Sequence, residues 1–228
     1  MSETIWITRT VPAAHKSAQA FAHLGLAAAI APLLFISPPE AMPAIPPKDA
    51  LLIFTSANGL DAFCGLTDAR HWPVITVGAQ TAAQARKAGF TNVSSADGTS
   101  KDVTALAKSS AALSTPIIHC AGPHVRGSIS EDLSAAGYQA RRDIYYRSTP
   151  VQNLPKIDLT KLNYLALYSP LAAKTLAGFK PKLCAVTVLS ISAATDTALG
   201  DLKAQSRLIA KAPNEAAMLD LLAPQKAV

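Results

Sequence analysis

The stretch Leu51-Leu52-Ile53-Phe54-Thr55-Ser56-Ala57-Asn58 reads as a buried strand running into a small polar turn, and it has a faint copy later in the chain. Tyr164-Leu165-Ala166-Leu167-Tyr168-Ser169-Pro170 has the same make-up. Downstream of the first, Val74-Ile75-Thr76-Val77-Gly78-Ala79-Gln80-Thr81-Ala82 reads as a second strand, a turn and a helix start. Downstream of the second, Val186-Thr187-Val188-Leu189-Ser190-Ile191-Ser192-Ala193-Ala194-Thr195 does likewise. Ser56 to Thr81 spans 25 positions and Ser169 to Thr195 spans 26. A second pair is interleaved with the first. Ile5-Trp6-Ile7-Thr8-Arg9 leads to Gly25, and Ile117-Ile118-His119-Cys120-Ala121-Gly122, with Arg126 beyond it, leads to Gly137, 20 positions in each case. Internal repetition at this scale points to two similar α/β domains facing each other.

Working outward, short apolar runs alternate with helical periods along most of the chain, the signature of βαβ units on parallel sheets. A helix is expected over Gly127 to Ala136 and a strand over Gln139 to Tyr146. Two proline-rich stretches interrupt the alternation, one holding Pro38, Pro39, Pro43, Pro46 and Pro47, the other Pro150 and Pro155. Neither can continue a helix or a central strand. The chain is therefore expected to form a discontinuous domain from residues 1–36 and 149–228, with residues 37–148 inserted as a second domain. The crossings near Leu34 to Ser37 and Ile144 to Ser148 can pair as a two-stranded tether.

Of the 228 residues, 50% are apolar and 16% charged, a globular balance with ample core. The net charge of +6 suits nucleic acid, a membrane surface or an acidic small molecule. There is no run of Lys or Arg, no aromatic-interleaved basic stripe and no zinc-finger spacing, which disfavours nucleic acid. A polyanionic small ligand stays open beside a mildly basic surface without function. Cys64, Cys120 and Cys184 are far apart and form no C-x-x-C pair, so neither a metal site nor a redox dithiol is expected. The first residues lack a basic region followed by an apolar core, and Leu24 to Ile36 holds Pro32 and is too short to cross a bilayer. No membrane association and a cytoplasmic location are the expectation.

In open α/β sheets ligands bind beyond the carboxyl ends of the strands. The repeated turns fall there: Thr8-Arg9, Ser56-Ala57-Asn58, Gly78 to Thr81, Ala121-Gly122, Ser169-Pro170 and Ser192 to Thr195. Each puts small hydroxyls and free backbone N–H groups at a helix start, where carboxylates or phosphates bind. Ser56, Thr81, Ser169 and Thr195 are either such ligand contacts or ordinary N-caps. Arg9 and Arg126 follow comparable strands and either fork a carboxylate or sit solvated.

The familiar catalytic signatures are missing: no G-x-S-x-G elbow, no Walker A lysine, no H-E-x-x-H and no dinucleotide fingerprint. The five histidines have no ligand spacing; His119 reads as a core histidine and His124 as a loop residue. Tyr145-Tyr146 stand at the second crossing, bordering the cleft that the tether arrangement implies. A phenol keeps its proton at neutral pH and can give it to a departing hydroxyl, or both rings simply pack against the tether.

The ordered set Ile7-Thr8-Arg9, Phe54-Thr55-Ser56-Ala57-Asn58, Val77-Gly78-Ala79-Gln80-Thr81-Ala82, Gly122 with Arg126, Tyr145-Tyr146-Arg147 and Ser169-Pro170 resembles uroporphyrinogen-III synthases nearly end to end. Ser192 stands where that pattern has a glycine, while Thr195 matches. The resemblance implies two flavodoxin-like domains with parallel sheets, the second inserted in the first. It implies a monomeric lyase, without cofactor or metal, that takes hydroxymethylbilane, handed over by porphobilinogen deaminase. The ring A hydroxyl would leave as water and the chain close with inversion of ring D through a spiro intermediate. Tyr146 would be the proton donor. Arg9, Ser56, Asn58, Gly78, Thr81, Gly122, Arg126, Ser169, Ser192 and Thr195 would hold the substrate carboxylates. Two other readings compete: a non-catalytic ligand-binding or regulatory module on the same bilobal fold, which needs no Tyr146, and a phosphosugar isomerase-type domain, which wants an acidic or His base in the cleft.

Overall fold

The computed structural model describes residues 3–125 and 127–222. In chain order the elements are β1 (Thr4–Ile7), α1 (Ala13–Ala22), β2 (Ala27–Ile30), β3 (Leu34–Ser37), β4 (Leu51–Phe54), α2 (Ala57–Leu66), β5 (Val74–Thr76) and α3 (Ala79–Lys87). There follow β6 (Val93–Ser95), α4 (Ser100–Ser110), β7 (Ile117–Ala121), α5 (Ile129–Ala135), β8 (Ala140–Ile144) and β9 (Arg147–Pro150). The chain closes with β10 (Tyr164–Leu167), α6 (Pro170–Phe179), β11 (Leu183–Ser190), α7 (Ala193–Thr197), β12 (Ala204–Ile209) and α8 (Glu215–Asp220). Two compact units result: Met1–Phe35 with Thr149–Val228, and Ile36–Ser148. The short strands β3 and β9 pair as a two-stranded sheet of their own.

The continuous apolar runs have a direct cause. In the Ile36–Ser148 unit, Leu52, Phe54, Ile118 and Cys120 pack on one face of the sheet with Phe63, Trp72 and Phe90. Leu51, Ile53 and Ile117 pack on the other with Val103 and Leu133. A parallel sheet covered on both faces needs apolar residues at every position of its central strands. Burying each side chain of this size contributes about 1.5–3 kcal/mol. In the other unit, Leu165 and Leu167 of β10 face one core while Tyr164 and Ala166 face a second.

Strand order carries the repeat further than the sequence did. The two five-stranded sheets run β12-β11-β10-β1-β2 and β6-β5-β4-β7-β8, with every pairing parallel. Laid side by side, β10 matches β4 and β1 matches β7. In chain order the first sheet reads 2-1-3-4-5, the flavodoxin-like order, and the second reads 3-2-1-4-5, its circular permutation. The likeness is therefore in spatial order, with the chain entering each sheet at a different strand.

Some expected boundaries move. The strand expected over Gln139 to Tyr146 ends at Ile144, and the second crossing pairs at Arg147–Pro150 rather than from Ile144. Tyr145 and Tyr146 fall in the two-residue gap, because Tyr145 turns into the apolar core below α2 and leaves the strand direction. The fifth helix starts at Ile129 rather than Gly127, whose φ of 79° is outside the helical region.

Candidate active site

A doubly wound sheet opens a crevice where the strand order reverses. In the Ile36–Ser148 unit that point lies between β4 and β7, and in the other unit between β10 and β1. The carboxyl ends of these strands carry Thr55-Ser56, Ala121-Gly122, Tyr168-Ser169 and Thr8-Arg9.

At the first crevice, Ser56 is the N-cap of α2, its Oγ accepting from the Gly59 N–H at 3.2 Å. The same oxygen lies 3.1 Å from the Tyr146 hydroxyl, with either group able to donate. Two glycines make this approach possible. A Cβ at Gly59 would sit 2.5 Å from the Cys120 carbonyl oxygen, so only glycine lets the start of α2 press onto β7. A Cβ at Gly122 would sit 3.0 Å from Tyr146 Cζ, so the phenol lies over bare backbone. Tyr146 is half-buried, reachable by a ligand yet fixed by its neighbours. Asn58, the second residue of α2 and two positions after Ser56, is half-buried.

Gly78 and Thr81 lie one strand further out, after β5. Gly78 is the N-cap of α3 and offers no side chain to its first N–H groups. Thr81 is buried as the third residue of that helix and not its cap. Arg126 lies outside the described residues. His124 is exposed.

In the other unit Arg9 is already engaged. Its Nη1 donates to Glu215 Oε2 at 2.9 Å and to Ser17 Oγ at 3.2 Å, and its guanidinium carbon stands 4.4 Å from the centre of the Tyr168 ring. The Tyr168 hydroxyl donates to Glu215 Oε1 at 3.2 Å; burial, reinforced by that carboxylate, pushes the phenol well above its ordinary range. Ser169 caps α6, accepting from the Ala172 N–H at 3.2 Å. Ser192 caps α7, and its Oγ stands 3.0 Å from the hydroxyl of fully buried Thr195. Thr195, like Thr81, is the third helical residue, because Ser192 and Gly78 hold the cap positions. Ser192 adopts φ −163° and Gly78 φ −153°, extended backbone open to any residue. The serine at 192 thus costs no strain and adds a cap.

Sequence reasoning missed three partners. His119, fully buried on β7, has Nε2 3.0 Å from Thr55 Oγ1, while its Nδ1 meets no hydrogen-bond partner among the described residues. Burial, and secondarily Arg142, lowers its pKa to about 4, so the ring is neutral at physiological pH. Tyr168 stood in the quoted repeat, at the position matching Thr55, which was the available signal. Glu215 follows the Asn214 cap, but nothing local tied it to Arg9. Among the described residues no three His, Cys, Asp or Glu side chains gather as a metal site would require, and no helix is long and apolar enough to cross a membrane.

The chemistry on offer is positional: hydroxyls and uncapped N–H groups for carboxylates, and a phenol at a helix start where negative charge is stabilised. Residues 15–220 match the family model described as uroporphyrinogen-III synthase HemD. The fold is similar to the crystal structure of uroporphyrinogen-III synthetase from Helicobacter pylori, with a TM-score of 0.68 and 18% identity over 99% of this chain and 100% of that one. A mutant uroporphyrinogen III synthase from the extremely thermophilic bacterium Thermus thermophilus aligns with a TM-score of 0.49 and 15% identity over 97% of each chain. No curated protein sequence gives a significant match.

Proposed function

We propose that this chain, which belongs to the uroporphyrinogen-III synthase family of haem biosynthesis, is a cofactor-free lyase converting hydroxymethylbilane into uroporphyrinogen III and water. The observation that carries the reading is the Tyr146 hydroxyl held 3.1 Å from Ser56 Oγ at the start of α2. Tyr146 gives its proton to the ring A hydroxyl as the C–O bond breaks and water leaves. The phenolate that forms is met by the Ser56 hydroxyl and by the positive end of the ten-residue helix α2. The methylene carbon thus freed is attacked by ring D to give a spiro intermediate, whose older bridge bond breaks and re-forms to invert ring D. The proton ring D loses on rearomatising balances the one Tyr146 gave, and the phenol is restored.

Each pyrrole of that substrate carries two carboxylates, and they need anchoring rather than activation. The uncapped N–H groups after Gly78, the hydroxyls of Ser56, Ser169 and Ser192, the amide of Asn58 and the guanidinium of Arg9 suit that task. The substrate is reactive, so positioning and proton delivery supply most of the acceleration.

The test generates hydroxymethylbilane in place from porphobilinogen with its deaminase, adds the protein, oxidises the products and separates the uroporphyrin isomers. Isomer III in excess supports the reading. Isomer I alone, the spontaneous product, from folded protein refutes it.

A further inference from the structure

His119 does not fit the face of the sheet it lies on. On that face Ile117 precedes it on β7 and Ile53 is its partner in the β4 ladder, both aliphatic, while on the edge side its partner in the β8 ladder is Arg142. An aliphatic side chain at 119 would fill the site without a buried ring nitrogen that has no partner. The sequence instead places an imidazole there, and among the described residues its one hydrogen-bonding contact is the hydroxyl of Thr55, 3.0 Å from Nε2. Thr55 is bonded directly to Ser56, whose Oγ is 3.1 Å from the Tyr146 hydroxyl.

We propose that His119 is a positioning residue that sets the Tyr146 phenol through Thr55 and Ser56. This rests on Tyr146 being the proton donor. Whichever nitrogen carries the proton, the Thr55 hydroxyl is the group the ring orients, and Thr55 leads the chain from β4 into the cap of α2. Orientation of Thr55 fixes where the Ser56 Cα–Cβ bond points. Ser56 then has two claims on its oxygen, the Gly59 N–H and the phenol, which leave it little freedom. Among the described residues the charged groups that act on the ring are Arg142 on β8, which disfavours its protonation, and Glu131 on α5, which favours it; burial outweighs both. The contribution is therefore hydrogen-bond direction and not charge.

The experiment labels the five tyrosines with 13C at Cζ and assigns the Tyr146 signal by its loss in Tyr146→Phe. His119→Phe keeps an aromatic ring and deletes the hydrogen bond. Thr55→Val deletes it from the half-buried side and carries the test if the Phe variant fails to fold. His119→Gln restores a neutral polar partner. The Tyr146 signal is expected to move in the Phe and Val variants and to return towards its original position in the Gln variant. With substrate, kcat should fall about tenfold in the Phe and Val variants, with KM within about twofold. The double variant should be no slower than the worse single, since both remove one interaction. A stationary Tyr146 signal in folded Thr55→Val overturns the proposal. The signal is read without substrate, so it decides the His119 coupling even if the parent protein yields isomer I alone, an outcome that would sink the catalytic reading of Tyr146 instead.

Discussion

The rings of Phe63 and Tyr145 stand 5.5 Å apart, tilted by 50°, and this contact sends two consecutive tyrosines in opposite directions. Tyr145 is 1% exposed in the aromatic core with Phe54, Phe63, Trp72 and Phe90. Its anchoring leaves Tyr146 no option but the crevice side, beside Ser56.

Replacing each tyrosine by phenylalanine should therefore separate structure from chemistry. The Tyr145 hydroxyl faces the Cys120 thiol without reaching hydrogen-bond geometry. Tyr145→Phe removes an ill-satisfied buried group, so urea unfolding should show equal or slightly greater stability, with turnover retained. Tyr146→Phe should keep the unfolding midpoint and slow isomer III formation on the order of 100-fold. Equal losses in the two would remove the distinction.

The two close-approach glycines should respond differently. Gly59→Ala meets backbone at 2.5 Å, which cannot yield cheaply, and should cost about 1–3 kcal/mol by urea denaturation. Gly122→Ala meets the end of a side chain at 3.0 Å. It should leave stability nearly unchanged but displace the phenol and lower kcat.

Ser56 and Ser192 both cap helices, yet only Ser56 touches the phenol. Ser56→Ala and Ser192→Ala should each lose about 1 kcal/mol of stability. Only the first should reduce kcat. Ser192→Ala, which removes a proposed carboxylate contact, should act on KM; an equal fall of kcat in Ser192→Ala would remove the special role of Ser56 at the phenol.

Arg9 and Glu215 should shift substrate affinity in opposite directions. Their side chains are 33% and 31% exposed, so the pair itself adds at most about 1 kcal/mol to stability. Arg9→Ala should raise KM for the bilane, and Glu215→Ala, which frees the guanidinium, should lower it. Unchanged KM values in both would remove Arg9 from the carboxylate set.

His119 makes stability depend on pH with a definite sign. Its folded pKa, about 4, lies below the ordinary value of 6.5, so the unfolded chain binds the extra proton in that window. Stability is fully present above about pH 6.5 and declines as pH falls towards 4, by about 3 kcal/mol for this group. Urea midpoints of the parent chain should fall more steeply between pH 7 and pH 4 than those of His119→Gln. Parallel slopes would mean the ring titrates normally.

Much of this was legible in the sequence for reasons that are local. Leu51 to Phe54 and Tyr164 to Leu167 announce central strands because a doubly covered sheet leaves no polar positions. Ser56 and Ser169 announce caps because the cap bond spans only three residues. The candidate site was less legible where partners are remote. His119 meets Thr55 only through the β4–β7 register, and Glu215 lies 206 positions from Arg9. Thr81 and Thr195 looked like caps because strand ends cannot be placed to within three residues by pattern alone. Tyr145 and Tyr146 are chemically the same in sequence; the family resemblance singled out Tyr146, and the burial of Tyr145 among Phe54, Phe63, Trp72 and Phe90 gives the physical reason.

The permuted strand order has a consequence for synthesis. Every strand of the sheet containing β4 is encoded between Leu51 and Ile144, so that unit is complete while the chain is still emerging. The sheet containing β1 must wait, since Ile5 pairs with Tyr164. At roughly 5–20 residues per second the wait is roughly 8–32 s, during which β1 has only β2 for company. The unit begun first is therefore finished last, and β1 to β2 pass that interval as the part most exposed to proteases and to mispairing. Chains stalled once Ser148 has cleared the ribosome, but before Tyr164 has, should show it, with residues 36–148 already resistant to cleavage and residues 1–35 still cut.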